Sequence, residues 1–254
     1  MKLQKLFFLA ALLCCCAELS AQSYAFGVKG GMTVGIQQWD GFERDPLYKY
    51  HGIVFIETAE EDSPFSIFGQ LGYHVKGSAI RTQETVFNSP TGLRTFPATT
   101  QEFQFKNVSL TVGGKRKYDL GSNSDSKIYY LLGVRADYTV GTNLGSFEES
   151  TTFATFYFNR PVEENVRKFN YGATIGGGIE LPLSDFVSAN IELTANPDFS
   201  RQYYREPINN VILPGTGSTN TTNLPEQTIR NLTLELTVGF RFLRQIEYID
   251  DDEY

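Results

Sequence analysis

FGVKGGMTVG, Phe26 to Gly35, sets glycines and a single lysine into an apolar run. Two readings compete: a glycine-rich loop that cradles a phosphate, or the wall of a barrel. A dinucleotide fingerprint needs G-x-G-x-x-G between a strand and a helix, and a P-loop needs its lysine after the glycines. Here Lys29 precedes Gly30 and Gly31, and no helical period follows. The later Gly176–Gly178 run fails on the same grounds. What the stretch does have is a period of two. Tyr24, Phe26, Val28, Met32, Val34 and Ile36 share one face; Ala25, Gly27, Lys29, Gly31, Thr33 and Gly35 share the other.

The same alternation recurs along the chain. Over 65–76, Phe65, Ile67, Leu71, Tyr73 and Val75 oppose Ser66, Gln70, Gly72, His74 and Lys76. Over 128–138, Ile128, Tyr130, Leu132, Val134, Ala136 and Tyr138 oppose Gly133, Arg135 and Asp137. Over 169–181, Phe169, Tyr171, Ala173, Ile175, Ile179 and Leu181 oppose Asn170, Gly172, Thr174, Gly176, Gly178 and Glu180. Over 187–194, Val187, Ala189, Ile191 and Leu193 oppose Ser188, Asn190, Glu192 and Thr194. Over 231–242, six apolar residues from Leu232 to Phe242 oppose Asn231, Thr233, Glu235, Thr237, Gly239 and Arg241. A further strand near 103–117 puts Val108, Leu110 and Val112 on one face. Another, near 50–58, is apolar on both faces and its phase stays open. The total is about eight strands.

The connections alternate in length. Short turns fall at EEDS, LGSNSDS and LSD; long polar connections fall near 37–49, 80–102, 143–167 and 199–227. Short turns on one side and long loops on the other are the mark of an outer-membrane barrel. The polar faces support this. A soluble sandwich carries many lysines and glutamates on its wet face, whereas these faces are glycine, serine, threonine and asparagine with single charges. Small residues suit the crowded inside of a narrow barrel. The sequence therefore predicts an all-β chain: a transmembrane antiparallel up-and-down β-barrel with an apolar, lipid-facing outside. Closure also pairs every backbone group, as lipid requires.

Residues 1–21 read as a signal peptide, with Lys2 and Lys5 before the apolar run Leu6–Cys16 and a small residue, Ala21, before Gln22. Cys14, Cys15 and Cys16 raise the alternative of a lipoprotein, but leucine or cysteine precedes each where lipidation wants a small residue. All three cysteines of the chain lie in that segment, leaving no disulfide framework or cysteine metal site downstream. Taking Lys2 and Lys5 from 22 basic residues and Glu18 from 29 acidic ones leaves a net charge of −8, which argues against nucleic acid as a partner. Residues 22–243 form the barrel, and 244–254 an acidic tail on the same, periplasmic side as the N-terminus.

FGVKGGMTVG, FSIFGQLGYHVKG, FNYGATIGGGIELPL and NLTLELTVGFRF together resemble the small Bacteroidetes-type outer-membrane β-barrel proteins, often labelled porin-family or PorT-family. The resemblance covers nearly the whole chain after residue 21. It implies a cell outer membrane location and a part in secretion or gliding machinery.

The candidate site is the row of polar residues facing the lumen: Lys29, Gln70, His74, Lys76, Arg135, Asp137, Glu180, Glu192, Glu235 and Arg241. Charges of both signs in a narrow interior are expected to pair and fill it. Lys29 is expected to meet Glu235 or Glu192 on a late strand. His51 and His74 are the sole histidines, and no spacing builds a catalytic triad around either. The sequence reading is a barrel with a structural or interaction role, without catalysis, cofactor or metal. A narrow solute or ion channel and a lipid-modifying enzyme are the alternatives. Expected partners are membrane lipid, the barrel-assembly machinery during biogenesis, and a protein reached through the long loops.

Overall fold

A computed structural model describes residues 23–39, 44–59, 63–89, 92–121, 125–148, 163–212 and 221–244. The signal segment, the acidic tail and the aromatic TTFATFYF stretch lie outside the described residues. In chain order the strands are β1 (Tyr24–Trp39), β2 (Asp45–Thr58), β3 (Phe65–Thr82), β4 (Thr85–Ser89), β5 (Gly92–Phe96), β6 (Thr99–Asp119) and β7 (Lys127–Thr142). There follow β8 (Phe169–Ser184), β9 (Val187–Pro197), β10 (Tyr203–Arg205), β11 (Ile208–Ile212), β12 (Thr221–Leu224) and β13 (Gln227–Arg244).

Eight of these close into a ring in the order β1-β2-β3-β6-β7-β8-β9-β13, with β13 pairing back onto β1. Every pairing is antiparallel, and round the ring each strand pairs with its chain neighbour, apart from the closure itself, once β4, β5 and β10–β12 are set aside; β10 also pairs with the start of β13. The opening stretch sits at this seam, with Met32 opposite Leu236 and Lys29 opposite Gly239. Its lumen glycines have a steric reason. A Cβ at Gly31 would stand 1.9 Å from the Leu236 carbonyl oxygen, and one at Gly27 would stand 2.6 Å from the Phe55 ring.

The polarity is the reverse of a soluble fold. Val28, Met32, Val54, Leu71, Leu110, Leu132, Ile175, Leu193, Leu236 and Val238 are exposed, while Lys29, Lys76, Arg135, Glu192 and Glu235 are buried. An apolar surface of that extent is unstable in water and suited to lipid. The outward run on β13 from Leu232 to Phe242, at about 3.3 Å per residue and a tilt of about 40°, rises roughly 25 Å, the height of an outer-membrane apolar band. Aromatic residues border it. Phe26 packs between Tyr24 and Phe242 at one rim, where Tyr118 also packs on Tyr130 with ring centroids 5.9 Å apart. The chain is thus a transmembrane β-barrel of the outer-membrane type.

One rim holds both ends of the barrel and the short turns; the other holds the long connections. We call them the terminal rim and the loop rim. At the loop rim the structure departs from the sequence expectation in four places. The connection expected over 37–49 is mostly strand, since β1 runs to Trp39 and β2 starts at Asp45. The 80–102 connection is consumed by β3, β6 and the β4–β5 hairpin, and the 199–227 connection carries β10, β11 and β12. Strands here continue beyond the lipid band, where polar residues replace the apolar alternation that would reveal them. Fourth, Val75, placed by alternation on the lipid face, is buried. It lies where β2 takes five steps, Pro46 to His51, against four on β3, Ser78 to His74. Such a bulge breaks the period of two. Gly77 there has φ 155°, and a Cβ on it would meet Leu47 at 2.7 Å.

Candidate functional site: the filled lumen

The lumen is filled in tiers. Nearest the terminal rim, β2 supplies Glu57, β6 supplies Lys115 and Lys117, β8 supplies Glu180 and β13 supplies Arg241. The Glu57 carboxylate receives Lys115 Nζ at 2.5 Å, Lys117 Nζ at 3.0 Å and Arg241 Nε at 2.6 Å. Glu180 takes the other side of Lys117, at 2.8 Å, and of Arg241, at 3.3 Å. Next inward, Lys29 donates to Glu192 at 2.6 Å, and Tyr129 donates to the same carboxylate at 3.0 Å. Glu192 is therefore the partner of Lys29. Glu235, the other candidate, is occupied by His74.

At mid-height the two histidines face each other across the β2–β3 pair, with rings stacked 5.6 Å apart. His74 Nδ1 lies 2.6 Å from Glu235 Oε1. His51 sits between the Thr33 and Thr237 hydroxyls, each at 2.9 Å. A small void beside them, about 10 Å³, has room for about one water. Gln70, Ser109, Thr174 and Arg135 line it with His74 and Glu235.

Toward the loop rim, Lys76 bridges Asp137 at 2.7 Å and Asp198 at 3.1 Å. Arg135 bridges the same two carboxylates, by Nε to Asp137 at 3.1 Å and by Nη2 to Asp198. Asn231 donates to Asp198 at 3.0 Å and also joins Gln202. Above them Trp39, Phe103, Phe105, Leu144, Tyr203 and Ile229 form an apolar cluster, with the Arg44 guanidinium 3.8 Å from the Trp39 ring centroid. The β9–β13 ladder runs on to Asp198, whose amide donates to the Asn231 carbonyl at 2.9 Å, so Asp198 stays on the lumen face; Gln202, four residues on, is buried as well.

All ten residues named from the sequence are buried inside the barrel. Sequence reasoning missed others. His51 and Glu57 were lost with the unassigned phase of β2, although their even spacing puts them on one face. Lys115 and Lys117 were legible, for they share the parity of Ser109 and Thr111, opposite Val108 and Leu110. Asp198 also shares the parity of Glu192, Thr194 and Asn196, opposite Leu193 and Phe199, and was legible wherever the strand is carried past residue 194. Among the described residues, the cations Lys29, Lys76, Lys115, Lys117, Arg135 and Arg241 face the carboxylates Glu57, Asp137, Glu180, Glu192, Asp198 and Glu235. These cations and carboxylates are equal in number, and pairing of this kind is the condition for burying so many charges.

Chemically, His74 has a carboxylate on Nδ1, while Nε2 looks toward the point above Gly72 that Ser109 Oγ also borders. That is a base with an orienting group beside a hydroxyl, in a space of about one water. Among the described residues no cluster of His, Cys, Asp and Glu is arranged to hold a metal ion.

No family model matches the chain, and no curated protein matches it. Solved structures do. The outer membrane protein OprG from Pseudomonas aeruginosa is 11% identical with a TM-score of 0.46, covering 87% of this chain and 97% of that one. Ail, the attachment invasion locus protein of Yersinia pestis, in complex with the heparin analogue sucrose octasulfate, is 12% identical with a TM-score of 0.37, covering 87% and 99%. The outer membrane protease OmpT from Escherichia coli is 9% identical with a TM-score of 0.39, covering 87% and 97%. Likeness this distant carries no argument about activity. It does correct one expectation: with a protease among these barrels, absence of catalysis does not follow from the architecture, and that expectation is withdrawn.

Proposed function

We propose that the protein is an outer-membrane barrel with a closed bore, acting as a structural or interaction component through its loop rim. The loop rim faces the cell exterior and both chain ends face the periplasm. A part as an accessory to secretion machinery, as the PorT-type resemblance implies, is the finer form of this reading.

The observation that supports it is the filling of the lumen. Ion pairs close the terminal end around Glu57, a second network closes the bore between mid-height and the loop rim around Asp137 and Asp198, and an apolar cluster closes the loop end. A solute would have to break several buried pairs in succession, and breaking a single one costs about 3–5 kcal/mol. Single-channel recording of the refolded protein in a planar bilayer tests this. The expected result is no steady conductance; a large, steady open level would refute it.

A further inference from the structure

At the loop rim the segment before β8 pairs with the segment entering β10. Val166 bridges to Tyr203, and the Arg167 amide donates to the Gln202 carbonyl at 2.8 Å. This pairing brings two arginines to one ring. The Arg167 guanidinium carbon lies 5.4 Å, and that of Arg201 5.7 Å, from the Tyr204 centroid. Among the described residues neither guanidinium has a carboxylate within 4.0 Å, although Glu163 and Glu164 lie on the same segment. Arg135 and Arg241 in the lumen, by contrast, are each paired with a carboxylate. Two like charges at one ring, neither beside a carboxylate among the described residues, leave a site of positive potential.

The surface just below is apolar and faces lipid. Phe169 is 65% exposed, Phe199 59% and Tyr171 55%. Phe199 is held against the wall, its amide donating to the Tyr171 carbonyl at 2.9 Å. An aromatic patch that meets acyl chains thus runs directly into a paired-arginine site. We infer that this face binds a phosphorylated lipid headgroup, with the phosphate between Arg167 and Arg201 and the acyl chains on the aromatic patch. Guanidinium forks match phosphate oxygens bidentately. Continuity with the lipid-facing wall favours a lipid over a free anion. The inference rests on the transmembrane reading, not on which rim is outside.

The test uses the refolded full chain in zwitterionic micelles. Dihexanoyl phosphatidic acid, dihexanoyl phosphatidylcholine and inorganic phosphate are titrated separately, with the ring signals of labelled tyrosine followed by NMR. Phosphatidic acid is expected to bind and shift Tyr204; phosphatidylcholine and inorganic phosphate are expected to bind far more weakly. R167Q/R201Q should weaken phosphatidic acid by about tenfold or more, the loss of two charge-assisted contacts. K127Q/R244Q, at the terminal rim, should leave it unchanged. The gel shift between boiled and unboiled samples confirms that each variant is folded. Equal binding of inorganic phosphate, or equal loss in the terminal-rim pair, would overturn the inference. Membrane-impermeant labelling of N209C on whole cells reports separately whether the loop rim is outside.

Discussion

Replacing Glu57 by glutamine isolates the contribution of the terminal-rim network. The Glu57 carboxylate is buried and serves three cations at 2.5, 3.0 and 2.6 Å. Glutamine keeps the shape but not the charge, so Lys115 loses the one carboxylate it pairs with among the described residues, and Lys117 and Arg241 fall back on Glu180. Breaking a buried pair costs about 3–5 kcal/mol. The lower end applies, about 3 kcal/mol, because Lys117 and Arg241 keep some contact with water at the rim and one carboxylate remains. The assay is reversible guanidinium unfolding of the refolded barrel in vesicles, followed by tyrosine fluorescence and by gel mobility. A second substitution sharpens the result. Adding K115M removes the orphaned charge, so E57Q/K115M should recover part of the loss, by about 1 kcal/mol or more, as coupled partners do. An E57Q protein within about 0.5 kcal/mol of the parent would refute the claim that this tier depends on compensated charge.

Two further outcomes follow from the wall and the loop rim. Leu236 is outward and near the middle of the apolar run of β13, so L236R should destabilise the barrel by about 2–4 kcal/mol in vesicles, and far less in a solvent-accessible loop; no change on unfolding would place that face away from lipid. Beyond the lipid band, the Glu102 carboxyl is held below its ordinary value, first by the hydrogen bond from Lys49 at 2.7 Å and then by that from Gln104. The bond's small contribution is present above the unfolded value near 4.5 and lost as pH falls through the lower, folded value. K49Q should therefore raise the midpoint of the Glu102 carboxyl signal in an NMR titration, and an unmoved midpoint would remove Lys49 as the cause.

The fold was legible because a barrel wall writes its period of two directly into the chain. Each residue of FGVKGGMTVG faces either lipid or a narrow lumen, and neither face tolerates the residues of the other. That constraint alone placed the lumen charges of β1, β3, β7, β8, β9 and β13 on the inside. It failed where the constraint relaxes. On β2, Ile53 and Phe55 are apolar yet face the lumen, filling space between charges, so alternation vanished and took His51 and Glu57 with it. At Val75 a bulge reset the parity. Beyond the membrane, where neither lipid nor a packed lumen sorts residues, β1 and β2 ran further than polarity suggested.

Only the tertiary structure decided who pairs with whom. Lys29 meets Glu192 and not Glu235, because register sets Glu192 at the level of Thr237 and Gly31, two residues from Lys29, and Glu235 at the level of Thr33, four residues away. The sequence offered both partners and no means to choose. Choice depends on register and on which competitor is already taken, here His74 on Glu235. Asp198 follows from extending β9 by its period, but Gln202 reaches the bore beyond it, where its amide donates to the Ile229 carbonyl at 2.9 Å, a matter of chain path. Local patterning records which medium a residue faces; the identity of its partner depends on strands far apart in sequence.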